Sequence, residues 1–194
     1  YRDISLHQTL IGVLFYLLVI INLDKIFNLI PNSENFISGK NVVYIIGLCK
    51  LIIMFFSFNS EIISLSKHYR FTVVTIIILA IISIALNLFL IPIYGMIGAA
   101  FASLISILIF NIIKYVFIKL KMKISPFSLS SLKVILIGIS LFTINFYLMP
   151  VFSNDFISIV FKSTVITSLY VLIIYLLKIS PKLNRIIQSF IRGQ

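Results

Sequence analysis

The chain has 194 residues, of which 61% are hydrophobic and 11% charged, and its formal net charge is +11. Soluble domains run at roughly 45–50% apolar and about 25% charged, so this composition excludes a soluble globular enzyme, a disordered tail and a disulfide-built secreted domain. What remains is a polytopic membrane protein, in which basic residues report topology before they report partners.

The chain opens on Tyr1 with no basic flank, short apolar core and small-residue cleavage site. That predicts a start partway through a longer protein and no signal peptide. The single cysteine, Cys49, lies in an apolar run and reads as a small buried hydrophobe.

A bilayer core of about 30 Å takes about 20 apolar helical residues. The first predicted span covers about 9–30, ended by Pro31 and a loop with Asn32, Ser33 and Gly39. The second covers about 41–64 and carries Lys50; a short basic loop with Lys67, His68 and Arg70 follows. From Phe71 to Ile113 no side chain is charged. That run would make a helix of about 64 Å, twice the bilayer, so it must be two spans. Pro92, Gly95 and Gly98 place the turn, giving spans of about 71–91 and 96–118. Residues 119–133 read as a basic cytoplasmic loop with Lys119, Lys121, Lys123 and Pro126. Two more spans follow within 134–178, and 179–194 reads as a basic tail. In that tail Leu183, Ile186, Ile187 and Phe190 have the spacing of an interfacial helix. The reading is all-α: lipid requires every backbone polar group to be satisfied within the segment, and twenty-residue apolar runs do not alternate as barrel strands do.

With the N-terminus in the cytoplasm, twelve basic residues fall inside: Arg2, Lys67, Arg70, Lys114, Lys119, Lys121, Lys123, Lys133, Lys178, Lys182, Arg185 and Arg192. Lys25, Lys40 and Lys162 fall outside, Lys162 snorkelling to the interface, and Lys50 is embedded. The positive-inside rule therefore puts both ends of the segment in the cytoplasm. It also accounts for the charge without nucleic acid.

An ionisable group at mid-membrane costs at least about 2.5–3.5 kcal/mol and usually faces a bundle interior or a water-filled cavity. On one continuous helix, Ser57, Glu61 and Ser64 lie within about 40° of Lys50. Lys50, Ser57 and Glu61 thus form a candidate cavity-lining stripe, where the lysine would hold an anionic head group as a point charge. Asn87, four residues after Ser83, is a further cavity candidate; interhelical hydrogen bonding is the ordinary role for it, as for Ser106 and Asn111. Gly95, Gly98, Ala99, Ala102 and Ser103 form a small-residue motif that lets helix backbones approach. No metal-ligand cluster, nucleophile motif, phosphate loop or pair of carboxylates at one depth is present, and the outer loops are short. Transport or scaffolding fits better than catalysis, and no cofactor is implied.

Leu86–Ser106, LNLFLIPIYGMIGAAFASLIS, joins an asparagine-containing span ending in LIP to a YG turn and a GAA helix start. This resembles the polysaccharide-exporter branch of the multidrug/oligosaccharidyl-lipid/polysaccharide flippase superfamily, the Wzx-type O-antigen and capsule flippases. Leu29-Ile30-Pro31 followed by Phe36 to Val42, and Ser66-Lys67-His68-Tyr69-Arg70, resemble its flanking loops. The resemblance implies the last six helices of a MATE-like fourteen-helix bundle in the bacterial inner membrane. By it, 1–118 would complete the C-terminal lobe, 134–178 would be two additional helices, and an N-terminal lobe of the same chain would be the partner. It further implies flipping of undecaprenyl-pyrophosphate-linked oligosaccharide by alternating access, with Lys50 in a cationic cavity. Sodium or proton coupling is common in that superfamily, and Glu61 is the only helix-embedded carboxylate. A drug exporter of the same superfamily, or a membrane polysaccharide polymerase or ligase, are the other readings.

Overall fold

A computed structural model describes residues 2–31, 37, 39–56, 58–123, 129–148, 150 and 152–180. Among them the chain is all-helical: α1 (Arg2–Asn28), α2 (Gly39–Phe55), α3 (Asn59–Ser64), α4 (Tyr69–Met122), α5 (Leu129–Leu148) and α6 (Asp155–Leu176). Four of these, α1, α4, α5 and α6, are long and apolar enough to cross a membrane. Large apolar side chains stand exposed all along α4, among them Ile81, Ile84, Leu88 and Phe89. A surface of that extent is tolerated against acyl chains and not against water, and the long apolar helices mark a membrane protein. The expected interfacial tail helix at 183–190 lies outside the described residues.

The 54 residues of α4 do not form one rod. Gly95 has φ 57° and ψ −132°, a conformation that only glycine adopts readily, and Pro92 lies just before it. The chain therefore reverses between an arm at 69–94 and an arm at 96–122. Phe71 and Phe117 stack at a ring separation of 3.8 Å, although a straight helix would set them about 69 Å apart. Gly98 lets the reversal close. A Cβ there would overlap the Leu90 carbonyl, lying 2.6 Å from its carbon and 3.1 Å from the Ile91 nitrogen. Gly98, Ala102 and Ser106 are buried, Ala99 and Ser103 half-buried, and Gly95 exposed.

The second span departs from its expected form. A single helix over 41–64 is predicted, but α2 ends at Phe55 and α3 begins at Asn59. At 17 residues α2 is only about 26 Å long. The Phe55 carbonyl, left without its helical partner by the break, accepts from Ser5 Oγ at 2.9 Å. α5 also starts earlier than predicted, at Leu129, because Ser131 and Val134 are buried on its first turns.

Two compact units divide the chain, residues 1–8 with 34–126 and residues 9–33 with 127–194. The divisions fall within α1, after residue 33 and after residue 126. In the first unit α2 and α3 pack on α4. In the second, α1 is tied to α6 by Tyr170 Oη donating to the Leu10 carbonyl (2.8 Å), by Asn22 Nδ2 donating to Ser163 Oγ (3.0 Å) and by the Lys25–Asp155 ion pair (2.5 Å). α5 packs on α6, and Gly138 of α5 meets Val13 of α1. α6 starts where it does because the Asn154 side chain caps it, accepting from the backbone nitrogens of Phe156 and Ile157.

Candidate functional site at the break between α2 and α3

The structure redistributes the expected polar stripe. Lys50 is on α2 and exposed; Glu61 is on α3 and exposed; Ser57 lies outside the described residues. With the helix broken between them, Lys50 and Glu61 no longer share one helical face, and no hydrogen bond or ion pair joins them among the described residues.

The buried cation of this unit is Lys114. Its position in the sequence, with Lys119, Lys121 and Lys123 close behind, predicts a cytoplasmic anchor, yet it is 1% exposed. The helix continues to Met122, so Lys114 sits two turns inside its end. There it shares a face with Asn111 and Ile118, both buried, at spacings of three and four residues. Its Nζ donates to Ser60 Oγ at 2.6 Å and lies 3.7 Å from the centroid of the Phe110 ring. Ser60 belongs to α3, on the turn immediately after the break. Glu61, beside Ser60, acts on the ammonium electrostatically. Buried Asn59 completes the polar residues of that turn. Thus one charge-assisted hydrogen bond and one cation–π contact stand where an ammonium in water would have three hydrogen bonds.

Aromatic rings wall the site. Phe55 and Phe56 meet edge to face at 5.2 Å, and Phe56 lies 6.2 Å from Tyr115. His68, expected at an interface, is half-buried with its ring 5.5 Å from that of Phe117. At 1% exposure Lys114 is shielded from water, which strengthens any electrostatic contact made there.

Thr72 of α4 accepts from Ser64 Oγ of α3 (3.2 Å), whereas three other polar side chains of α4 bond to their own helix. Asn87 Nδ2 donates to the Ser83 carbonyl (2.8 Å), Ser106 Oγ to that of Ala102 (2.7 Å) and Asn111 Nδ2 to that of Ile107 (2.9 Å). Asn87 and Ser83 line a groove of about 350 Å³ with Ile84, Leu88, Ile91 and Pro92. The groove lies on the first arm alone, and no contact joins it to Lys50 or Glu61. Lys162, expected to snorkel, is largely buried in the second unit, at 9% exposure.

Among the described residues no group of histidine, cysteine, aspartate or glutamate side chains is arranged to hold a metal ion. No protein-family model, no curated protein and no solved structure matches the chain.

Proposed function

We propose that the chain is part of a membrane transporter and not of an enzyme. In this reading it contributes six spans of a MATE-like bundle that flips undecaprenyl-pyrophosphate-linked oligosaccharide across the bacterial inner membrane by alternating access. The observation that carries the reading is the buried Lys114 ammonium beside the break between α2 and α3. Discontinuous helices in transporters place free helix ends and polar side chains at the substrate site, and a membrane-embedded ionisable residue is a functional group by default.

In the proposed cycle Lys114 receives a phosphate of the head group. Its present contacts, Ser60 and the Phe110 ring, are neutral. A pyrophosphate oxygen is a stronger acceptor than a hydroxyl, so the ammonium exchanges Ser60 for the substrate when the cavity opens. Lys50, exposed on α2, supplies a second positive charge on the surface that the N-terminal lobe would cover. The resemblance of Leu86–Ser106 to the Wzx-type turn supports the choice of substrate, and the reversal at Gly95 agrees with two spans there.

The test is complementation. The full-length protein is expressed in a strain lacking its own flippase, and surface polysaccharide is measured beside membrane insertion. Lys114→Gln keeps a hydrogen-bond donor on a side chain one atom shorter but removes the charge. A lost charge-assisted contact is worth about 1.5–3 kcal/mol, so polysaccharide export should fall about 10-fold to 150-fold. Wild-type export from an inserted Lys114→Gln protein would refute the role.

A further inference from the structure

The end of the α4 hairpin opposite Gly95 gathers five cations that the Lys114 site does not use. Phe71 and Phe117 stack at 3.8 Å, and the His68 ring lies 5.5 Å from that of Phe117. These contacts bring the start of the first arm and the end of the second to one level. Lys67 and Arg70 adjoin His68 and Phe71 on one side. Lys119, Lys121 and Lys123 follow Phe117 on the other, within about 9 Å along the chain. All five are exposed. Arg70 leans on Tyr69, its Nε donating to Oη at 3.4 Å, and Lys119 Nζ stands 5.9 Å from the centroid of the Tyr115 ring. Among the described residues no carboxylate pairs with any of the five.

Neighbouring charges do not cancel this cluster. The acids of the unit are Asp3, Glu34 and Glu61. Glu61 acts on the buried Lys114, Asp3 is on the first turn of α1, and Glu34 lies outside the described residues. Set in full against the five cations, these acids still leave the surface positive. The helix ends add little, because the positive N-terminal end of one arm lies beside the negative C-terminal end of the other.

Depth and composition assign this surface to the membrane interface. A hydrocarbon core of about 30 Å takes about 20 helical residues. Arg70 and Lys119 are 25 and 24 residues from Gly95, about 36–38 Å of helix. With the Gly95 turn in one head-group layer, the cations therefore reach the phosphates of the other. Large apolar side chains stand among them: Leu65 is 90% exposed, Leu120 72% and Tyr69 53%. A surface for a soluble polyanion gains nothing from such side chains. An interfacial surface buries them at the acyl boundary and sets its cations on phosphates.

We propose that this end of the hairpin is a docking surface for anionic phospholipid head groups, of the phosphatidylglycerol kind, in the leaflet it faces. Arg70 offers a planar fork to two phosphate oxygens, and the lysines act as point charges from both arms. A phosphate held between Arg70 and the lysines of the second arm ties the two ends of the hairpin together. The surface depends neither on Lys114 nor on what the transporter carries.

The experiment is native mass spectrometry of the purified full-length protein with equal phosphatidylglycerol and phosphatidylcholine, and separately with tripolyphosphate. Phosphatidylglycerol should be retained over phosphatidylcholine at least about 25-fold, from two cations per phosphate at about fivefold each. Lys67→Gln with Arg70→Gln should lower that preference at least about fivefold, and so should Lys119→Gln with Lys121→Gln and Lys123→Gln. Arginine at positions 119, 121 and 123 should keep it, and raised salt should reduce it. All five positions changed to Gln should remove it; if that protein does not insert, the two partial variants decide by the same readout. Equal retention of the two lipids by the wild-type protein, or a preference unchanged in both partial variants, overturns the proposal. So does tripolyphosphate bound with no lipid preference, which makes the surface one for a soluble polyanion.

Discussion

Replacing Gly98 by Ala should open the reversal in α4, and the cost follows from the contacts. The new Cβ would stand 2.6 Å from the Leu90 carbonyl carbon and 3.1 Å from the Ile91 nitrogen. Ordinary contact begins near 3.4 Å and the Leu90 carbonyl oxygen is nearer still than its carbon, so the two arms must separate by more than about 1 Å. Both neighbours are backbone, so no rotamer change relieves the overlap. Overpacking of this kind costs about 1–3 kcal/mol, and the better helix propensity of Ala returns up to about 1 kcal/mol. A net loss of about 1–2 kcal/mol is expected. The companion Gly138→Ala has a different outcome: its added Cβ meets only the end of the Val13 side chain, at 2.6 Å. Val13 can turn away, so that variant should lose less than Gly98→Ala. The assay is the denaturation midpoint of the purified protein in mixed micelles as the SDS fraction rises. A Gly98→Ala protein as stable as wild type, or more stable than Gly138→Ala, would show that the close approach of Gly98 to Leu90 does not hold the turn.

Three further outcomes follow from single contacts. Gly95→Ala forces a side chain into a backbone region that only glycine occupies readily and should cost about 1–3 kcal/mol in the same titration. Tyr170→Phe removes the buried hydrogen bond to the Leu10 carbonyl and should cost about 1 kcal/mol; an unchanged midpoint would mean that this bond does not help hold α1 to α6. Asp155→Asn breaks a partly exposed ion pair, so it should cost no more than about 1 kcal/mol. That loss should shrink as salt is raised, and a salt-independent loss would argue against an electrostatic cause.

The reversal at Gly95 was legible because arithmetic demanded it: the uncharged run from Phe71 to Ile113 is too long for one span, and Pro92, Gly95 and Gly98 were the available turn residues. The break after Phe55 was not. Phe56, Ser57 and Phe58 include no proline or glycine, and the freed Phe55 carbonyl is taken by Ser5, fifty residues earlier. A long-range contact of that kind leaves no local signature. Lys114 was hidden by its neighbours, since three lysines within nine residues made it read as a flank. Its spacing from Asn111 and Ile118 was the available signal, because a helix continued to Met122 puts all three on one buried face. Lys162 carried the same kind of signal: Ser158, Lys162, Ile166, Tyr170 and Ile174 recur every four residues, and all five are buried. Charge position along a chain predicts sides of a membrane well, but it does not tell a snorkelling lysine from one that is packed inside.

The central claim is that Lys114 at the broken helix handles the charged head group of a lipid-linked oligosaccharide. Its most direct test is a flipping measurement in proteoliposomes that contain the full-length protein and a fluorescent undecaprenyl-pyrophosphate oligosaccharide, with an impermeant quencher reporting the leaflet. The wild-type protein should expose the lipid to the quencher, Lys114→Arg should keep part of that rate, and Lys114→Gln should reduce it at least about tenfold, as the loss of one charge-assisted hydrogen bond requires. Equal rates for wild type and Lys114→Gln, or no flipping by the wild-type protein, would contradict the account.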